Sequence, residues 1–289
     1  MRIAVLSSGS SATDLPQQLA ELATPEVTPV LVDPRLSVFA KTPYERLVAD
    51  LGFVDAAQMA ERAGFDAVFI NSFADYGIAA ARAALAVPVV GAGEATLRAA
   101  AEGGRRFAIV TVWPESMAHL YEERLRTLGL ESQCVAIHYF SPEEELARVG
   151  HREGVMDRMG RGDDALLRGL LATCERAVRM DAAECIVLGC TCMAPVGPAL
   201  SKACSVPVLE SACVGYRAAV EAARAHGASR RDGTAPGRKL VPQIVEAWLG
   251  ASAHADGEPG TGDSAACPVC ITFEGDAYPA TPGPARADR

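Results

Sequence analysis

Val87-Pro-Val-Val-Gly-Ala-Gly-Glu-Ala-Thr-Leu-Arg98-Ala-Ala aligns without a gap with Val206-Pro-Val-Leu-Glu-Ser-Ala-Cys-Val-Gly-Tyr-Arg217-Ala-Ala. Each copy reads as a short β-branched strand that turns directly into a helix. Upstream, Ala67-Val-Phe-Ile-Asn-Ser72 pairs with Cys185-Ile-Val-Leu-Gly-Cys190, and Arg2-Ile-Ala-Val-Leu-Ser7 pairs with Arg106-Phe-Ala-Ile-Val-Thr111. Three matches in the same order describe an internal repeat, so the chain reads as two similar α/β lobes related by a pseudo-twofold axis. In open parallel sheets, ligands bind beyond the carboxyl ends of the strands. Two such lobes facing each other put Ser72 and Cys190, equivalent by the repeat, on opposite walls of an interlobe cleft.

Working outward, short apolar runs alternate with longer amphipathic stretches, the pattern of βα units in mostly parallel sheets. Strands are expected at 2–7, 27–32, 67–71, 88–90, 106–112, 134–139, 184–189 and 207–209. Helices are expected at 12–22, 44–63, 78–85, 95–102, 115–128, 164–180, 196–203, 213–225 and 240–249. Leu166/Leu167, Leu170/Leu171 and Cys174 recur at helical spacing, which marks one buried face. The repeat divides the chain into a first lobe of 1–98 plus 210–250 and a second lobe of 99–209. Residues 251–289 are rich in Ala, Gly, Pro and Asp with few large apolar side chains, and are expected to be disordered.

Composition sets the class. Of the 289 residues, 49% are hydrophobic and 22% charged, enough for substantial cores in two lobes. A formal charge of −9 argues against nucleic acid, which needs a basic stripe, and offers no basic patch for anionic lipid. The first segment carries an apolar run too short for a secretory signal, and no stretch approaches the ~20 apolar residues of a membrane span. A cytoplasmic protein acting on a small molecule is the expectation. Its nine cysteines are then mostly reduced, six of them as small hydrophobes in apolar or helical segments.

Cys190 is expected between an apolar strand and a helix beginning near Met193. A thiol at a helix N-terminus is stabilised as thiolate by the dipole and free N–H groups, and a thiolate can exchange a proton with an acidic carbon. The residues carrying this reading also carry a resemblance. Ile186-Val-Leu-Gly-Cys190-Thr-Cys-Met193 resembles the second-cysteine motif of the aspartate/glutamate racemase superfamily. Asn71-Ser-Phe-Ala-Asp75-Tyr-Gly77 followed by Val87-Pro-Val-Val-Gly-Ala-Gly-Glu-Ala95 is most similar to its hydantoin racemase branch. The resemblance covers roughly residues 1–250. It implies two Rossmann-like lobes with a cleft between them, assembly into dimers or larger oligomers, and neither pyridoxal phosphate nor a metal. One cysteine would deprotonate a carbon beside a carbonyl or carboxylate, and another would reprotonate it from the opposite face.

The departures are specific. The family's first cysteine falls at Ser72, and its usual following proline is Tyr76. A hydroxyl is a far poorer base than a thiol, so symmetric two-thiol chemistry needs revision. Three explanations fit: an engineered Ser72, a one-thiol relative resembling arylmalonate decarboxylase, or another acid such as Tyr76 or Asp75. A pair of lobes that binds a small acid without chemistry is the contrasting class.

Around this pair, Ser7, Ser8 and Ser10 in the first strand-end loop, Asn71, Thr111 and Thr191 are candidate substrate contacts, with hydroxyl and N–H donors for an enolate-like oxygen. Tyr44 and Tyr76 complete the candidate set. Glu94 is expected to order a helix N-terminus or lobe contact, and His138 to be a satisfied core or rim residue. Cys192 makes a Cys-x-Cys pair with Cys190 but lacks a surrounding ligand cluster. Cys267-Pro-Val-Cys270 has half the spacing of a zinc site and reads as an incidental pair.

Overall fold

The computed structural model describes residues 1–7, 15–227 and 239–255. In chain order the first half contains β1 (Arg2–Leu6), α1 (Gln17–Ala20), β2 (Thr28–Val32), α2 (Pro43–Arg62), β3 (Ala67–Ile70), α3 (Ile78–Ala84), β4 (Val89–Gly91) and α4 (Ala92–Ala101). The second half contains β5 (Phe107–Thr111), α5 (Ala118–Leu128), β6 (Cys134–Tyr139), α6 (Val155–Gly160), α7 (Asp164–Asp181), β7 (Cys185–Leu188), α8 (Gly197–Ala203) and β8 (Val208–Glu210). Two further helices follow, α9 (Ser211–Gly227) and α10 (Leu240–Ala255).

The strands form two four-stranded sheets of matching order, β2-β1-β3-β4 and β6-β5-β7-β8. Every pairing within them is parallel. The repeat seen in the sequence is therefore a repeat of topology: Ala4 pairs with Val68 as Ala108 pairs with Ile186. Ile3 to Leu6, Phe107 to Val110 and Cys185 to Leu188 have no exposed surface. A parallel sheet covered on both faces selects such unbroken apolar runs.

Helix ends follow local chemistry. Thr42 accepts from the Glu45 N–H while Glu45 reaches back to the Thr42 N–H, a capping box that starts α2 with Pro43 at its first position. Asp163 accepts from Leu166 N at 2.8 Å and starts α7, whose buried stripe is Leu166, Leu170, Cys174 and Ala177. Two elements were not anticipated: the 3-10 turn Glu143–Arg148 and α6. Each is six residues long, too short to show a period. The expected helix at 115–128 opens as a 3-10 turn, Glu115–Met117, before α5.

Two helices tie the sheets together. α4, which follows the first sheet, lies against β7 and β8 of the second. α9, which follows the second, lies against β3 and β4 of the first, and the two helices pack on each other. Among the described residues, no helix is long and apolar enough to cross a membrane. Beyond residue 255 the expected disordered tail lies outside the described residues.

Candidate active site

The site is built where the third strand of each sheet ends. β3 runs into Asn71 and Ser72, and β7 into Gly189 and Cys190. A side chain at Gly189 would collide with its neighbours, its Cβ falling 2.7 Å from Ile109 Cγ2 and 3.1 Å from Thr111 Cβ. Glycine therefore lets the chain turn closely over β5 and deliver Cys190 at the sheet edge. The two strand ends meet directly: Thr191 Oγ1 donates to the Asn71 carbonyl at 3.1 Å. Ser72 and Cys190, next to these partners, are both half-buried rather than sealed in the core.

Beyond Cys190 the start expected near Met193 is a 3-10 turn, Thr191–Val196, with Pro195 inside it, and the helix expected at 196–203 follows as α8 from Gly197. Aligned-dipole support for a Cys190 thiolate is correspondingly smaller than the sequence implied. What remains is local: the Cys192 N–H donates to Cys190 Sγ at 3.2 Å. The structure also joins the sulfurs of Cys190 and Cys192 in a disulfide. The expectation of reduced cysteines fails for this pair, because the tight turn returns residue 192 beside residue 190. Acid/base chemistry at Cys190 then requires the reduced form.

At the end of β3, Ser72 Oγ accepts from Ala74 N at 3.4 Å, and the nearby Tyr76 is buried, its hydroxyl pushed up to about 12 by that burial. Tyr76 packs against Phe53 with ring centroids 5.3 Å apart, and the Arg46 guanidinium lies 5.9 Å from its ring. Asp75 is not free for proton transfer. Its carboxylate accepts from Gly93 N at 2.8 Å and Glu94 N at 2.7 Å, and so holds the first turn of α4. Complete burial raises its pKa to about 7, against the lowering effect of those two N–H donors and Arg124.

Other candidates divide. Asn71 is buried; its Nδ2 reaches Ser7 Oγ at 3.5 Å, and among the described residues its Oδ1 has no partner. Ser7 is half-buried at the end of β1, whereas Ser8 and Ser10 lie outside the described residues. Thr111 is fully buried, with its Oγ1 bonded to the Tyr121 hydroxyl at 2.5 Å and to Trp113 N at 3.3 Å. Its hydroxyl is spent on the core, which corrects its assignment as an oxyanion donor. Tyr44 is 74% exposed on the first turn of α2. Glu94 bridges Arg82 at 2.8 Å and Arg98 at 3.0 Å, a helix-ordering role. His138 is held by Asp181 at 2.8 Å and Arg176 at 3.1 Å. Cys267 and Cys270 lie outside the described residues.

Three residues around the site escaped the sequence. Arg46 donates to the Ala74 carbonyl at 3.2 Å and pairs with Glu123 at 2.9 Å, linking the post-β3 turn to α5. Arg124 stands 3.9 Å from Asp75. Tyr121 is buried between Phe73 and Tyr139, at ring distances of 5.6 and 6.1 Å. An arginine within an amphipathic helix normally points to water, so periodicity gave no signal for these contacts. A cavity of about 180 Å³ between residues 22–27 and α9 lies apart from this set and is lined by none of the candidates.

Comparison with known proteins gives the family and the fold. The profile of the Asp/Glu/Hydantoin racemase family matches residues 3–221. A hydantoin racemase of Pseudomonas sp. (strain NS671) is 30% identical over 174 residues, a match spanning 60% of this chain and 65% of that protein. The solved allantoin racemase of Pseudomonas fluorescens superposes with a TM-score of 0.66 at 25% identity, covering 78% of this chain and 92% of its own. Arylmalonate decarboxylase, at 20% identity and a TM-score of 0.53 over 81% of this chain and 97% of its own, shares the fold. With the profile covering most of the chain and the paired strand ends in place, the chain belongs to the Asp/Glu/hydantoin racemase family.

Proposed function

We propose that this protein racemises a small cyclic carbon acid of the hydantoin type, using its own side chains for both proton transfers. The reduced Cys190 thiolate removes the proton beside the carbonyl from one face. The Ser72 hydroxyl, backed by Tyr76, supplies a proton to the other face. Retaining its proton at neutral pH suits Tyr76 to replenish Ser72 rather than to act as a free base. Ser7, Asn71 and Thr191 position the substrate. The carrying observation is the Thr191–Asn71 hydrogen bond, which brings the repeat-equivalent strand ends together.

The unpartnered Asn71 Oδ1 supports the substrate class. A buried acceptor favours a ligand that brings an N–H, as a hydantoin ring does, over a second carboxylate. We further propose the lobe limits 1–98 plus 210–250 and 99–209, with support from the packing of α9 on β3 and β4. Cytoplasmic location and assembly with further copies of the chain belong to the same reading and rest on sequence pattern and family.

The test is proton NMR of 5-methylhydantoin in deuterated buffer with fully reduced protein. Loss of the C5 hydrogen signal that disappears in Cys190→Ala is expected; equal exchange by both forms removes the reading. The single thiol across from Ser72 favours a second reading, decarboxylation of a disubstituted malonate, which needs only one proton donor. Carbon dioxide release with one product enantiomer, and no hydantoin exchange, would select it.

A further inference from the structure

The Cys192 side chain has no task in the proton transfer, only its backbone N–H does, yet its sulfur is bonded to the one that transfers the proton. The turn itself creates this proximity. Cys190 is extended, with φ −148° and ψ 136°, while Thr191 is pinned across the lobes to Asn71. The 3-10 turn that starts at Thr191 then folds Cys192 back toward Cys190. The Cα atoms of residues 190 and 192 are 5.2 Å apart, within the roughly 4.4–6.8 Å that a disulfide spans.

Both residues are half-buried at the strand end rather than sealed in the core. Of the other described cysteines, Cys134, Cys204 and Cys213 are also half-buried, and Cys174 and Cys185 are buried. Burial pushes the Cys134 thiol up to about 11 and those of Cys174 and Cys213 to about 12, and raises those of Cys185 and Cys204. Exchange with small disulfides runs through the thiolate, so these positions are poor competitors.

We propose that Cys190 and Cys192 form a reversible thiol–disulfide switch: a low-molecular-weight disulfide such as oxidised glutathione closes it and silences the site, and a dithiol reopens it. This rests on the reading of Cys190 as the proton-transfer group. In the first step the Cys190 thiolate attacks one sulfur of oxidised glutathione, the S–S bond breaks, and one glutathione thiolate leaves with the electron pair. Cys192, after losing its proton to solvent, then attacks the Cys190 sulfur and expels the second glutathione thiolate. The two cysteines lose two electrons and two protons in all, and one small disulfide becomes two thiols. The joined Cys190 sulfur has neither a proton to give nor a lone thiolate to accept one.

The experiment uses the full chain, reduced with dithiothreitol, desalted and incubated with oxidised glutathione. N-ethylmaleimide trapping and peptide mass spectrometry are run beside the 5-methylhydantoin exchange assay. The peptide carrying both cysteines should lose both maleimide adducts and gain an internal disulfide. Exchange should fall by at least about tenfold and return on reduction. Reduced Cys192→Ser should exchange within about threefold of wild type, and after oxidation should carry glutathione on Cys190 instead of an internal bond. Two maleimide adducts surviving oxidation overturn the switch. So does an internal disulfide accompanied by undiminished exchange while reduced Cys190→Ala is inactive. Failure of the underlying reading looks different: reduced wild type and reduced Cys190→Ala exchange equally, although the disulfide still forms, and the gating falls with it.

Discussion

The two sheets share one strand order, but their third strands end in opposite ways. After β7, Gly189 and Cys190 enter a tight 3-10 turn whose two sulfurs meet. After β3, Asn71 and Ser72 lead into a wider turn in which Asp75 takes a left-handed backbone at φ 51° and its carboxylate turns inward to cap α4. The corresponding helix in the other half, α9, is started by Glu210, which accepts from Ala212 N at 2.7 Å and Cys213 N at 2.9 Å. The same physical need, an acceptor for unpaired N–H groups at a helix start, is met from the neighbouring turn in one half and from the adjoining strand in the other. Gly91, which aligns with Glu210, shows why: its Cβ would sit 2.1 Å from Asp75 Oδ1. The two sheets match, while their strand ends differ, one carrying sulfur and the other hydroxyls.

This contrast can be broken most severely by Cys190→Ala. If the walls are unequal as proposed, reduced variant protein loses at least about a hundredfold in deuterium exchange, the range expected for removing a general acid/base. Ser72→Cys works in the other direction by making the walls alike. Exchange should rise by about tenfold as a better base replaces a hydroxyl, and an unchanged rate would show that the facing wall does not touch the reacting carbon.

Asp75→Asn probes the divergent caps. It removes one of two charged acceptors for the start of α4 and should cost about 1–3 kcal/mol in chemical denaturation. Its pH dependence is distinctive, because the folded protein raises the Asp75 pKa to about 7 and so favours the protonated carboxyl. That contribution is complete below the unfolded value near 4 and is lost as pH rises through about 7, so wild-type stability should decline across that window more steeply than the variant's. The smallest effect belongs to Thr191→Val, which removes the bond joining the two strand ends. A loss of about 1 kcal/mol, with a several-fold fall in exchange, is expected. An equal stability with full exchange would mean that the lobes hold their register without it.

Much of the molecule was legible in its residues. All eight strands appear where apolar runs predicted them, and the central strands β1, β3, β5 and β7, covered on both faces, are the most continuously apolar. The repeat located Ser72 and Cys190 at equivalent strand ends before any coordinate was known. Thr111 shows the limit of that logic. Its position after a first strand matched Ser7, yet only packing revealed that Tyr121 had claimed its hydroxyl.

What the chain alone determined was periodic or repeated: the strands, the helices with buried faces, the duplication and the two strand-end motifs. Burial patterns and symmetry leave a signature along one dimension. What tertiary structure decided was pairing between residues far apart or tightly turned, namely Thr191 with Asn71, Asp75 with the start of α4, Arg46 with Glu123, and Cys190 with Cys192. Such contacts depend on directions in space, where one side chain's committed hydrogen bond or bond to sulfur removes it from the chemistry its type would otherwise allow.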